Sequence, residues 1–124
     1  MKKLKAMAIA VLNAGMVGSF SFADGTAVNA GKKIFDSACA TCHKADGKGN
    51  PSMAKVFKAD LSLMDLTGGS IVKSPDEELL KIISDGRNKM PAFSKRFKAD
   101  ELKIVLQYVR GLAAKAKEGK PAKK

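Results

Sequence analysis

Tryptophan is absent from the 124 residues, histidine and tyrosine occur once each, and cysteine occurs twice. Two cysteines are too few for a small secreted scaffold held together by disulfides. Glycine (11) and proline (4) are too sparse for a collagen-like or low-complexity chain. No repeat of 20–50 residues is evident, which excludes solenoids and propellers. With 45% hydrophobic and 28% charged residues, the composition is that of one globular domain, neither wholly disordered nor polytopic in a membrane. Aromatics are scarce: beyond residue 23 only Phe35, Phe57, Phe93, Phe97 and Tyr108 remain. A domain this small already buries proportionately little surface. Its core therefore has room for something besides side chains.

Acids are the scarcer charge, 12 against 23 basic residues, for a formal net charge of +11. Part of that excess lies in residues 1–23, where Lys2, Lys3 and Lys5 precede a mostly apolar run from Met7 to Gly18 and the small-residue site Ser21-Phe22-Ala23. This is the pattern of a cleaved export signal. The run falls short of the roughly 20 apolar residues of a bilayer span. The expected product starts at Asp24, lies in the periplasm and is not inserted in the membrane. Removing three lysines from 23 basic residues against 12 acids leaves it with +8. Such a field steers anionic partners and is screened by salt; export makes nucleic acid an unsuitable one. Residues 24–114 read as one domain, and 115–124, with five lysines, Gly119 and Pro121, as a disordered basic tail.

Helical periodicity marks four segments and no strand. Residues 27–39 place Ile34, Phe35 and Ala38 on one side, and 52–57 form a short turn. The third, 75–85, has Ser74 as expected N-cap, Pro75 at the first position, Glu77 closing a capping box and Gly86 past the end. The fourth, 99–114, repeats Leu102, Val105, Leu106, Val109 and Leu112 on one face, with Lys98 where Ser or Thr would cap better. Between them, 58–73 and 86–97 are long connections of the kind that carry function. The expected class is all-α.

Both cysteines and the histidine fall together in Cys39-Ala40-Thr41-Cys42-His43. C-x-x-C-H is the attachment signature of c-type haem. Two cysteines three apart at a helix end present their sulfurs to one side, where they can add across the porphyrin vinyl groups, and His43 is aimed at the iron from the same side. A neutral imidazole is a good iron ligand, and its other nitrogen needs an acceptor; a backbone carbonyl near Pro51 is the expected one. The competing readings are weaker. A redox C-x-x-C belongs in a βαβ setting, a zinc site lacks donors, and a plain disulfide leaves His43 unexplained. A buried porphyrin also supplies the apolar surface the side chains lack.

With no second histidine, the sixth iron ligand must be another residue type. Met90 lies 47 residues beyond His43, in Gly86-Arg87-Asn88-Lys89-Met90-Pro91-Ala92-Phe93, where Pro91 stiffens the loop. A loop that far downstream can fold over the opposite face of the ring. Met64, also in an irregular segment, is the alternative; Met53 and Met64 both have a core-filling role open to them.

These residues resemble the class I c-type cytochromes, specifically the small monohaem cytochromes c of bacteria, over 28–112. The resemblance rests on Gly31-Lys32-Lys33-Ile34-Phe35 entering the cysteine motif, on Asp46-Gly47-Lys48-Gly49-Asn50-Pro51, on Met90-Pro91, and on Glu101-Leu102 leading to Tyr108-Val109-Arg110. Lys98 and the 58–73 segment depart from the family's pattern. The resemblance implies about four helices around one covalent haem, the first and last crossing at Gly31 and Phe35 against Val105 and Tyr108. His/Met ligation leaves no open coordination site and no second catalytic constellation is present, so the expected function is one-electron carriage, not enzymatic catalysis. Lys44, Lys48, Lys55, Lys89, Lys95, Arg96 and Lys98 would ring the haem edge of a monomer and steer it to acidic redox proteins in weak, transient encounters. Two other functions fit the same residues: a haem relay subunit of a larger periplasmic oxidoreductase, and a haem sensor whose Met90 dissociates.

Overall fold

A computed structural model describes residues 24–119. The export signal expected over 1–23 lies outside the described residues, as does the end of the basic tail, 120–124. In chain order the elements are α1 (Asp24–Ala38), α2 (Ala40–His43), α3 (Pro51–Phe57), a 3-10 turn (Leu61–Met64), α4 (Gly69–Lys73), α5 (Asp76–Asp85) and α6 (Ala99–Glu118). Among the described residues there is no strand, only an isolated bridge between Arg87 and Met90.

The all-α expectation stands, and the four expected helices are all present. Two short ones, α2 and α4, carry too few residues for a periodic signal. Helix α6 runs to Glu118, so the first four residues of the expected disordered tail are helical. Helix α5 begins at Asp76, with Pro75 at the N-cap position and no side-chain cap. Ser74 therefore does not cap it. Its carbonyl instead accepts from Arg110 Nη2 at 2.6 Å.

The main packing is α1 across α6. A Cβ on Gly31 would stand 2.8 Å from the Ile104 carbonyl oxygen and 2.9 Å from Tyr108 Cβ, so only glycine allows the backbones this close. Phe35, fully buried, packs on Val105 and Val109, with its ring centroid 5.3 Å from that of Tyr108 in a tilted pair. The crossing is thus the one the resemblance implied, with Ile104 added to it. At the start of α6, Lys98 offers no acceptor, but the Glu101 carboxylate takes the Lys98 N–H at 2.8 Å. Half of a capping box replaces the missing Ser or Thr.

The 58–73 connection is ordered by its own polar residues. Asp60 caps the 3-10 turn by accepting from the Ser62 N–H, and Asp65 accepts from both the N–H and the hydroxyl of Thr67. Arg110, from α6, then ties this half of the chain down. It donates to the Ile71 carbonyl, to Ser74 and to the Asp76 carboxylate at 2.7 Å. The Leu79, Ile82 and Ile83 face of α5 is thereby set opposite the α1–α6 pair, with a crevice between.

Candidate haem site

Helix α1 breaks at Cys39, but its hydrogen bonding continues through the motif: Cys39 N–H donates to Phe35, and His43 N–H to Cys39 at 3.0 Å. The two thiols and the imidazole therefore emerge from one short helical stretch. The chain then reverses through Lys44 and Gly47, both at positive φ, and returns so that Gly49 and Asn50 donate their N–H groups to the carbonyls of His43 and Cys42, each at 2.9 Å. Asn50 also caps α3 through Ser52 and donates its amide to the Thr41 carbonyl. The open end of α2, which would otherwise leave carbonyls unpaired, is closed from three sides. That rigidity holds the motif's side chains in place.

His43 Nδ1 lies 2.7 Å from the Met64 carbonyl oxygen. A carbonyl only accepts, so Nδ1 carries the proton and Nε2 is left with its lone pair. Burial holds the imidazole pKa below its ordinary value, opposed by that hydrogen bond, so the ring is neutral at pH 7. The acceptor is not the carbonyl expected near Pro51. Pro51 instead occupies the first position of α3, and Met64 arrives from 21 residues down the chain on the 3-10 turn. Nothing local in the sequence signals such a contact.

The crevice comprises two adjoining cavities of about 180 and 280 Å³. Five residues line both: Cys39, His43, Leu63, Arg87 and Met90. Cys42 lines the first, and the second is walled by Leu79, Ile82, Ile83, Val105, Leu106 and Val109. Met64 reaches only the first cavity, its side chain buried beside it, and Met53 reaches neither. Met90 sits in a tight turn, Arg87–Met90, closed by backbone hydrogen bonds in both directions at 3.0 and 2.9 Å. Asn88 in left-handed geometry lets this turn close in so few residues. Downstream, Phe93 and Ser94 donate to Ile83 and Ser84 of α5.

An apolar slot with thiols and a neutral imidazole on one element and a thioether on another fits a haem. It does not fit the alternatives. Burial pushes the Cys39 thiol up to about 11, with the nearby Arg96 charge only partly opposing; a dithiol built for redox exchange has a lowered pKa. Among the described residues, no three His, Cys, Asp or Glu side chains converge as a metal cage requires.

Helices crossing at a glycine, with a C-x-x-C-H turn and a methionine loop opening onto one apolar slot, define a class I c-type cytochrome. Comparison with known proteins gives the same family. A family model described as Cytochrome C oxidase, cbb3-type, subunit III matches residues 26–109. Cytochrome c6 of Picosynechococcus sp. is 35% identical over 113 residues, 88% of this chain and 92% of that one. Cytochrome c6 of Leptolyngbya boryana is 35% identical over 86 residues, 69% and 93% of the respective chains. Among solved structures, the KustC0563 c-type cytochrome superposes with a TM-score of 0.56 at 25% identity, covering 66% of this chain and 95% of its own. The chain belongs to the small class I c-type cytochromes, and with that family it carries covalently bound haem c and its iron and serves electron transfer. No helix among the described residues is long and apolar enough to cross a membrane.

Proposed function

We propose that this cytochrome is a diffusible, monomeric, periplasmic one-electron carrier, not an enzyme. In this reading Cys39 and Cys42 form the haem thioethers, and His43 and Met90 hold the iron from opposite sides. The supporting observation is that Cys39, His43 and Met90 line both halves of one apolar crevice, whereas Met64 lines only one and offers its carbonyl to His43. When bound, the haem supplies a one-electron couple whose reduced form is favoured by a soft thioether ligand. The chain's residues do the rest. The Met64 carbonyl keeps the proton on Nδ1 and Nε2 aimed inward. Leu79, Ile82, Val105 and Val109 exclude water, and the hydrogen bonds of 86–94 to α5 fix the methionine loop. A site so constrained changes little between oxidation states.

Optical spectra of the purified protein test this directly. Covalent haem bands together with the weak red sulfur-to-iron band of the ferric form are expected. Colourless protein with reactive thiols would refute the attachment, and absence of the red band would refute methionine ligation. Carbon monoxide binding to the reduced protein at neutral pH would point to a sensor with a labile ligand instead.

Lys44, Lys48, Lys55, Lys89, Lys95, Arg96 and Lys98 are all exposed, and Lys89 lines the crevice itself. Electron exchange with an acidic redox protein is therefore expected to slow several-fold as ionic strength rises toward physiological values, because exposed charges are screened beyond about 8 Å there. Stopped-flow rates against salt measure this; a flat profile removes the steering role. The description of the matching family as an oxidase subunit favours one second reading, a haem relay within a larger complex. Gel filtration of native extract separates it from a free carrier.

A further inference from the structure

We propose that Arg87 is the residue that receives a haem propionate, so that one turn, Arg87–Met90, both presents the thioether and neutralises the cofactor's negative edge. The inference rests on the reading that the crevice holds the haem with Met90 on its iron. A haem brings two carboxylates to an otherwise apolar slot, and an ionised carboxylate at such a boundary must reach water or a cation. Arginine suits it best, since its planar fork takes a carboxylate through two parallel hydrogen bonds.

The chain has three arginines, and two are already committed. Arg110 is spent on Ile71, Ser74 and Asp76. Arg96 lies over the Phe97 ring at 5.2 Å from its centroid and lines neither cavity. Arg87 is the one cationic residue that lines both, alongside His43 and Met90. Its backbone is pinned by the two hydrogen bonds to Met90, yet among the described residues its guanidinium has no hydrogen-bond or ion-pair partner. Arg87 is exposed and lines both cavities, so a guanidinium with no partner among the described residues is available at the crevice for a ligand carrying its own anion. The two other charged residues at the crevice are less suited. Lys89 lines the first cavity only, and Glu78, on α5, lines the second and would repel a carboxylate there. The propionate is thereby directed toward the turn and away from α5.

Arg87→Gln in the haem-loaded protein tests this against Lys89→Gln, which removes the same charge two residues away. An unneutralised carboxylate favours ferric iron. Arg87→Gln is therefore expected to lower the reduction potential and to shift the propionate-bending band in the resonance Raman spectrum, with the red methionine band intact. Lys89→Gln should leave the Raman band in place and move the potential less. Equal potential shifts in the two variants, or an unmoved Raman band in Arg87→Gln, overturn the proposal. So does loss of the methionine band in Arg87→Gln, which would mean that Arg87 acts only on the loop. Should Arg87→Gln not load haem, Arg87→Lys keeps the charge but loses the fork: a shifted Raman band at near-native potential supports the pairing, and an unshifted one overturns it. A wild-type spectrum lacking the methionine band would instead defeat the underlying ligand reading, whatever the variants do.

Discussion

Replacing Met90 by alanine is expected to abolish the red sulfur-to-iron band of the ferric protein and to lower its reduction potential by on the order of 0.1–0.3 V, a fraction of the roughly 0.8 V that axial ligands span among haem proteins. The effect should be this large because the substitution removes the thioether and little else. The turn that carries Met90 is closed by backbone groups of Arg87 and Met90, which alanine retains, and the segment beyond is tied to α5 by the N–H groups of Phe93 and Ser94. The loop therefore stays where it is with its ligand missing. Carbon monoxide should then bind the reduced variant at neutral pH.

Met64→Ala is the informative contrast. Its side chain is buried beside the first cavity, so truncation should cost about 2–4 kcal/mol of stability. The contact to His43 runs through the backbone carbonyl and survives the change, so the red band should persist. Loss of the band in Met64→Ala with retention in Met90→Ala would reverse the assignment.

Those two methionines mark the line between what could be read from the sequence and what could not. Cys39, Cys42 and His43 are adjacent, and their chemistry follows from spacing along one helical stretch. Met90, which lines the crevice, could be singled out because elimination left few candidates and Pro91 marks an irregular loop. The Phe35–Tyr108 pair and the Gly31 crossing were accessible through the family pattern. By contrast, the partner of His43 Nδ1 was expected near Pro51 and is a backbone carbonyl at Met64. A carbonyl belongs to every residue, so no side-chain pattern distinguishes the one that will be used. Ser74 fails as a cap for a related reason. The side chain is suitable, but Arg110 reaches across from α6 and holds the Ser74 carbonyl and the Asp76 carboxylate through contacts 36 and 34 residues apart in sequence. Likewise the 58–73 connection lacks periodicity because its order comes from Asp60 and Asp65 side chains capping single turns, which hydrophobic spacing cannot report.

Gly86 lines neither cavity and yet governs the backbone of the loop that carries Met90. It ends α5 with φ of 79° and ψ of 167°, a region open essentially to glycine alone, where any other residue costs on the order of 1–3 kcal/mol. The space is closed as well. A Cβ there would stand 2.7 Å from the Met90 carbonyl oxygen, 2.9 Å from the Ala92 nitrogen and 3.0 Å from the Pro91 carbonyl carbon. All three are backbone atoms of the methionine loop, so no side chain can swing aside; the loop itself must move. Gly86→Ala is therefore expected to lower the melting temperature by roughly 4–8 °C for each kcal/mol lost, and in addition to weaken or abolish the red methionine band and admit carbon monoxide to the reduced protein. Gly31→Ala separates the two effects. Its added methyl meets Ile104 and Tyr108 at the α1–α6 crossing, remote from the loop, and should destabilise the fold while the band stays at full strength. If Gly86→Ala melts early but keeps an undiminished band, the loop absorbs the methyl without shifting the sulfur, and the close contact at Gly86 serves stability alone.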